Sequence, residues 1–545
     1  MNAAVIIMQD ARFIENLTIK TGNASNTIDL TTQGMFGDLL INSGSSADLI
    51  NLVAGDGLGS LTLNAGLGHD NVTMTSSGAI GSVTFNLNDS PVWVDVTLEG
   101  AADSFTLNAN AGVTDLNITI DATVVSDDNT QAAVDLNLGE AAVDAKITLG
   151  GTIHGFALDS SGNFDDKIGL IIAAGALISS PNDDKAVVFN LAEGSVNANI
   201  DLGGQVNGFV VNASGDFGDI IDLTTQDTAN LTSVNNTDKA VVFNLANGSL
   251  DAGINLNGQI EGLGLITTGS QDDKVNLIVQ DAAQITSPTI DQFSIDFALG
   301  KGSLVADLHL SGQVQGLSLQ TSGDYSDDFD FVADLTASIT SSDNLSRAIN
   351  VDLGHGAVDA DLTVTKDVVI EGLKLVTGTG VDDIKMSLLG TIEKPSSASD
   401  SALELRTDGG QDSITVQQAG FVNGMLLKGG DNADDYRLTV AETATGNIKI
   451  DDTTATDADS VGNTLVVDTQ ENGDISDQFL FRDGLLYRYG INQNQRIDYS
   501  GFTALSLFTY GGDDNFIFDE STNGIYFHPL SAQPKTSCWR RVSLT

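Results

Sequence analysis

Aspartates recur in this chain at turn-like phrases that run straight into apolar segments. "SSGNFDDKI", "ASGDFGDII", "TGSQDDKV", "TSGDYSDDF" and "TGTGVDDI" place Asp166, Asp219, Asp273, Asp328 and Asp383 just before a strand, each a near-constant step from the last. Related turns are "AGLGHDNVT" with Asp70, "TDGGQDSIT" with Asp412 and "YGGDDNFIF" with Asp513 and Asp514. Two chemistries suit such turns. Ca²⁺ takes six to eight oxygens from carboxylates and backbone carbonyls, and Gly-Asp turns offer both. Alternatively, each Asp accepts hydrogen bonds from nearby backbone amides and closes its corner without metal. Two carboxylates about 5 Å apart repel by roughly 1 kcal/mol even in water, a cost that a bound cation would relieve.

Other chemistry has little support. His69, His154, His309, His355 and His528 are scattered without zinc-like spacing, and carboxylate pairs such as Asp327–Asp328 are too abundant to mark a general acid and base. The chain has no G-x-S-x-G elbow and no phosphate loop. Its 74 acidic residues against 23 basic ones give a net charge of −51, which argues against nucleic-acid and anionic-membrane partners. The longest apolar stretch, Ile168–Ile178, is too short to span a bilayer. The single cysteine, Cys538, permits no intrachain disulfide. The opening "MNAAVIIMQDARF" has neither a basic n-region nor a full h-region, so no secretory signal is expected in it.

The elements that must hold these turns are strands. "SVNANIDL" alternates Val196, Ala198, Ile200 and Leu202 with polar residues, the pattern of a strand buried on one face. The phrase returns at Val143, Leu250, Leu304 and Val358, on the same near-constant step as the turns and each time with alanine at the second inward place. Such regularity predicts a repeat architecture whose units stack on their neighbours. Two strands per turn of about 22 residues fit the repeated "IDL" at Ile200 and Ile221; five strands per 54-residue unit favour a three-sided or irregular rung. Helix is not expected, because no long stretch shows a 3.6-residue period. The expected fold is therefore all-β: an elongated parallel β-solenoid with a C-terminal aromatic-rich β cap.

Five regions follow. Residues 1–130 read as an irregular N-terminal solenoid, 131–400 as the regular array and 401–460 as transitional rungs. Residues 461–528 form a module rich in tyrosine and phenylalanine, and 529–545 a basic, unpatterned tail. A capping role for the aromatic module follows from the need to cover a solenoid's last edge.

The turns resemble the RTX, or hemolysin-type, nonapeptide GGxGxDxUx. "AGLGHDNVT" matches with Gly66, Gly68, Asp70 and Val72, and "TGTGVDDIK" with Gly378, Gly380, Asp382 and Ile384. That family runs its motif in tandem, whereas the good copies here stand singly. The resemblance implies a parallel β-roll with calcium as cofactor, at Asp70 and at Asp382 and Asp383 first. The overall look is similar to acidic, repeat-built bacterial surface proteins. The expected role is a structural extracellular or cell-surface rod without enzymatic activity. Its expected partners are itself, head to tail in a filament or layer, or other surface components. The alternatives are a monomeric adhesin stalk or ligand-binding module, and a β-helix enzyme acting on polysaccharide.

Overall fold

The computed structural model describes residues 5–8, 13–88, 93–110, 113, 115–126, 131–140, 142–180, 185–233, 235, 237–289, 292–342, 346–395, 401–452, 462–470, 477–489, 494–509, 514–518, 525–526 and 540–544. Every regular element among them is a β-strand. The chain divides into two compact units, Met1–Gly269 and Ser270–Thr545, a boundary that falls inside the 54-residue array. Each unit is a parallel β-solenoid.

In the first unit, Val5–Met8, Thr27–Thr32, Leu49–Ala54, Asn71–Ser76, Trp93–Leu98 and Asp115–Ile120 pair in parallel, each residue with the one 22 positions on. A second sheet stacks Phe13–Lys20, Met35–Asn42, Gly57–Gly66, Ala79–Leu87 and Ala102–Ala109 in the same way. These rungs are two-sided. Then Ala102–Ala109 pairs with two strands at once, Thr123–Val124 and Val134–Leu138. From there the second side is broken into a short strand and a longer one, and the rung has three strands.

The 54-residue repeat is a pair of unequal rungs. Asn197 pairs with Ile220 across a short step, and Ile220 with Asp251 across a longer one. The second unit repeats this with Val305, Asp328 and Asp359. In the short rung a single glycine turns the corner between the two second-side strands, Gly208 and Gly262 (φ 83° and 89°) in the first unit. The long rung inserts a loop at that corner, and its cation lies over the glycine: a Cβ on Gly262 would meet Lys239 Cγ at 2.9 Å. The cation also ties successive repeats. Lys185 Nζ donates to the carbonyl of Lys239, one full repeat on, and in the second unit Arg347 Nη2 donates to that of Ser401 at 3.2 Å.

Alternation along each strand buries one side chain in two. Val196, Ala198, Ile200 and Leu202 are 2% exposed or less. The recurrent alanine is half of an alternation between rungs. Ala198 pairs with Ile168 below and Ile221 above, and Ala306 with Val275 and Phe329. Large and small residues thus fill the core at constant width. Phenylalanines stack within it, Phe156, Phe189, Phe209 and Phe243 lying 5.6, 5.9 and 6.0 Å apart in succession. Outside, asparagines form a ladder: Asn64 Nδ2 donates to Asn42 Oδ1 at 2.8 Å, Asn86 to Asn64 at 2.9 Å and Asn108 to Asn86 at 3.0 Å.

The later part of the second unit departs from parallel pairing. Gln478–Arg482, Leu485–Tyr489 and Asn494–Ser500 form an antiparallel meander, with Phe479 stacked on Phe516 and Phe481 on Phe518. The basic tail lies mostly outside the described residues, except Arg540–Leu544, which pairs antiparallel with Ala504–Thr509.

Candidate metal centre

The aspartate turns converge on one place in the rung, a buried position at the start of first-sheet strands, either the residue before the strand or its first residue. Asp48, Asp70, Asp166 and Asp219 hold it in the first unit; Asp273, Asp327, Asp382, Asp412 and Asp434 hold it in the second, and all are 5% exposed or less. In the 54-residue repeats it alternates with apolar residues. Asp166 pairs with Val196 and Asp219 with Leu250 in the first unit, Asp273 with Leu304 and Asp327 with Val358 in the second. The short rung brings the aspartate and the long rung the hydrophobe.

One oxygen of each carboxylate has a fixed use. Asp70 Oδ1 accepts from the backbone N–H of Asp48 at 2.8 Å, Asp166 from Val143 at 3.0 Å and Asp219 from Val196 at 2.9 Å. In the second unit Asp327 accepts from Leu304 and Asp382 from Val358, both at 2.8 Å, and Asp412 from Asp382 at 2.9 Å. At a corner, where the ladder is interrupted, the side chain thus supplies the acceptor that a strand carbonyl would otherwise give.

The second oxygen separates two classes of corner. Asp166 Oδ2 accepts from Ser160 Oγ at 2.7 Å, and Asp382 Oδ2 from Thr377 Oγ1, a hydroxyl that ends the preceding strand. On Asp412 and Asp434 the Oδ2 atom has no such well-placed donor, although Thr407 lies near Asp412 and Asp452 beside Asp434. Asp452 Oδ2 and the Tyr436 hydroxyl are likewise buried without an ordinary donor, and Asp434 and Asp452 lie close enough to share a proton. These four groups are neighbours. Asp434 accepts from the Asp412 N–H at 2.9 Å, Asp452 from that of Gly430 at 3.1 Å, and a Cβ on Gly429 would meet both Asp434 Oδ2 and Tyr436 Oη.

Burial raises most of these acids. It pushes Asp70, Asp219, Asp327, Asp382 and Asp434 up to about 6, and Asp166 upward, against the lowering effect of their backbone hydrogen bonds. Asp452, buried beside Asp434, reaches about 7, and Asp412, buried near Asp382 and Asp434, about 8. Burial and the adjacent Asp452, Asp434 and Asp412 hold the Tyr436 hydroxyl protonated. A corner of this kind holds protons or takes up positive charge. The cluster offers oxygen donors only, the donor type that a hard cation takes. Even so, among the described residues no three carboxylate, histidine or cysteine groups are placed to ligate one metal ion together.

The expected residues fall into three groups. Asp70, Asp166, Asp219, Asp273, Asp382 and Asp412 stand in the buried column. Asp328 and Asp383 do not: they lie one residue further on, Asp328 exposed and Asp383 half-exposed on the outer face. In "TSGDYSDDF" the column residue is Asp327, because a one-residue shift in a strand moves a side chain to the opposite face. Asp514 belongs to another corner, where its Oδ1 accepts from the Asp477 N–H at 3.1 Å; Asp513 lies outside the described residues. Asp48, Asp434, Asp452 and Tyr436 were not foreseen. A signal for two of them exists, since Asp48 and Asp434 stand 22 residues from Asp70 and Asp412. Comparison with protein families, with curated proteins and with solved structures finds no match to this chain.

Proposed function

We propose that the protein is a structural component of an extracellular or cell-surface assembly, an acidic repeat-built scaffold that associates with further copies of itself. The observation that carries this reading is where its polar side chains go. The corner aspartates bind the backbone one rung away, and the asparagines bind each other up the ladder. Side chains committed to neighbouring rungs stiffen a stack and are not free to work on a substrate.

Calcium has its place in this reading at the corners whose second carboxylate oxygen lacks a well-placed protein donor, Asp48 in the first unit and Asp412, Asp434 and Asp452 in the second. The likeness of neighbouring turns to the RTX nonapeptide supports the same assignment. The aromatic meander of residues 478–500 takes the capping role. Electron microscopy of the purified full chain, with calcium and with a chelator, tests the proposal. Filaments or ordered layers are the expected result, more abundant with calcium. Dispersed single particles at high concentration in both conditions would overturn it.

A further inference from the structure

The outward face of the first sheet in the second unit carries its acids in register. Asp328 pairs with Asp359 and Asp359 with Asp383; two residues on, Asp307 pairs with Asp330 and Asp330 with Asp361. Neighbouring strands lie about 4.8 Å apart and alternate residues of one strand about 6.6 Å, so these carboxylates form a net of like charge. The strain is visible at Asp330. Partial burial and then Asp328, Asp361, Asp307 and Asp359 push its carboxyl above the ordinary range.

Next in the second column stands a base, Lys385, paired with Asp361. Its ammonium lies 2.9 Å from Asp383, 3.3 Å from Asp359 and 3.8 Å from Asp361. The net therefore has the right dimensions to seat one ammonium among three carboxylates. Among the described residues, no lysine or arginine makes an ion pair with Asp307, Asp328 or Asp330. Beside these acids opens a groove of about 340 Å³, with Asp328, Asp359, Asp383, Val305 and Val381 among the residues that line it. The two valines are 46% and 63% exposed.

Carboxylates beside exposed valines suit side chains that carry a cation on an aliphatic stem. We infer that this outward face, with the groove beside it, docks an extended basic segment of a partner protein. Its lysines or arginines, at alternate positions, sit among Asp307, Asp328, Asp330 and Asp359 as Lys385 sits among its three acids. Alternate residues of an extended segment match the spacing of Asp328 and Asp330 along their strand. Charge complementarity selects this occupant. A second copy of a chain with net charge −51 would bring like charge to the face. The inference rests on this face alone and holds whether or not the chain polymerises.

The test uses the full chain and a fluorescent heptapeptide of alternating lysine and threonine, with binding read by anisotropy at about 0.15 M salt. A peptide of the same composition with its lysines in one block is the comparison. The alternating peptide is expected to bind more tightly. Asp328→Asn with Asp330→Asn should weaken it about fivefold, whereas Asp56→Asn with Asp121→Asn, the same charge removed from exposed sites of the first unit, should change it less than about twofold. Lys385→Gln empties the occupied seat and should tighten binding, more than Lys167→Gln in the first unit does. Equal losses from the two aspartate pairs would show diffuse attraction only and overturn the inference. So would a Lys385→Gln variant that binds no better, or calcium that titrates this face and abolishes peptide binding.

Discussion

A corner aspartate such as Asp219 joins a helpful hydrogen bond to an unhelpful charge. Asp219 accepts from the Val196 N–H at 2.9 Å, yet burial pushes its carboxyl up to about 6. Asp219→Ala should cost about 1–3 kcal/mol, because it leaves a buried amide unsatisfied. Asp219→Asn keeps an acceptor and sheds the charge, so at pH 8 it should melt near or above the parent. The protein already makes that choice at Asn463, whose Oδ1 accepts from the Asp434 N–H at 2.9 Å while its amide donates to Gly501 at 2.9 Å. The pH dependence has a definite sign. A carboxyl whose folded pKa is raised binds more protons folded than unfolded, so unfolding free energy falls as pH rises between the two values. With corners at about 6, 7 and 8, the melting temperature in chelator should decline from about pH 4 to about pH 8. Asp412→Asn should flatten the upper part of that decline. A melting temperature that climbs across this range would refute the buried-acid account.

At the scale of the strand, the core tolerates little change in volume because neighbouring rungs share it. Ala198 is packed between Ile168 and Ile221, so Ala198→Leu should cost about 1–3 kcal/mol by overpacking. Adding Ile221→Ala should recover part of the loss in a double-mutant cycle, since the two side chains divide one space. If the single variant melts like the parent, the alternation of large and small is not what sets the width. The glycine corners give a second test. Gly262 has φ 89° and a Cβ there would lie 2.9 Å from Lys239 Cγ, so Gly262→Ala meets both a left-handed backbone and a crowded site. A loss of about 1–2 kcal/mol follows from the backbone alone. Gly253→Ala, on an outward strand position whose nearest atom is the mobile end of Asp222 at 2.8 Å, should be milder. Thermal melts of the pair measure the difference directly.

For the whole molecule, charge is the dominant unspent quantity. A net charge of −51 repels itself in the compact state. Lengthening the screening distance from about 10 Å at 0.1 M salt to about 30 Å at 0.01 M should therefore lower the melting temperature. Calcium separates the two chemistries of the corners. If Asp412, Asp434 and Asp452 take up calcium, it should raise the melting temperature beyond sodium of equal ionic strength, and a chelator should reverse the gain. Identical melting in the two salts would leave the corners as hydrogen-bonded turns without metal.

The sequence by itself determined the strands, their buried faces and the length of the repeat. Alternation over seven residues is a local property, so Val196, Ala198, Ile200 and Leu202 could be placed inside before any partner strand was known. The turns were equally legible, because a Gly-rich corner ending in Asp needs only its own backbone. Tertiary structure decided how a repeat is divided. The repeat period is compatible with several rungs, and only the pairing of Asn197 with Ile220 and of Ile220 with Asp251 shows that it makes two unequal ones. It also decided which acid of Asp327 and Asp328 turns inward. Both follow a turn and open the same strand, and the choice is made by register against Val358 and Asp359 in the next rung. The cluster of Asp412, Asp434, Asp452 and Tyr436 was hidden for the same reason: burial and hydrogen bonding there depend on residues at least one rung away. In a stack of parallel strands, the chain writes each face locally, but only the neighbouring rung fixes where that face meets its partners.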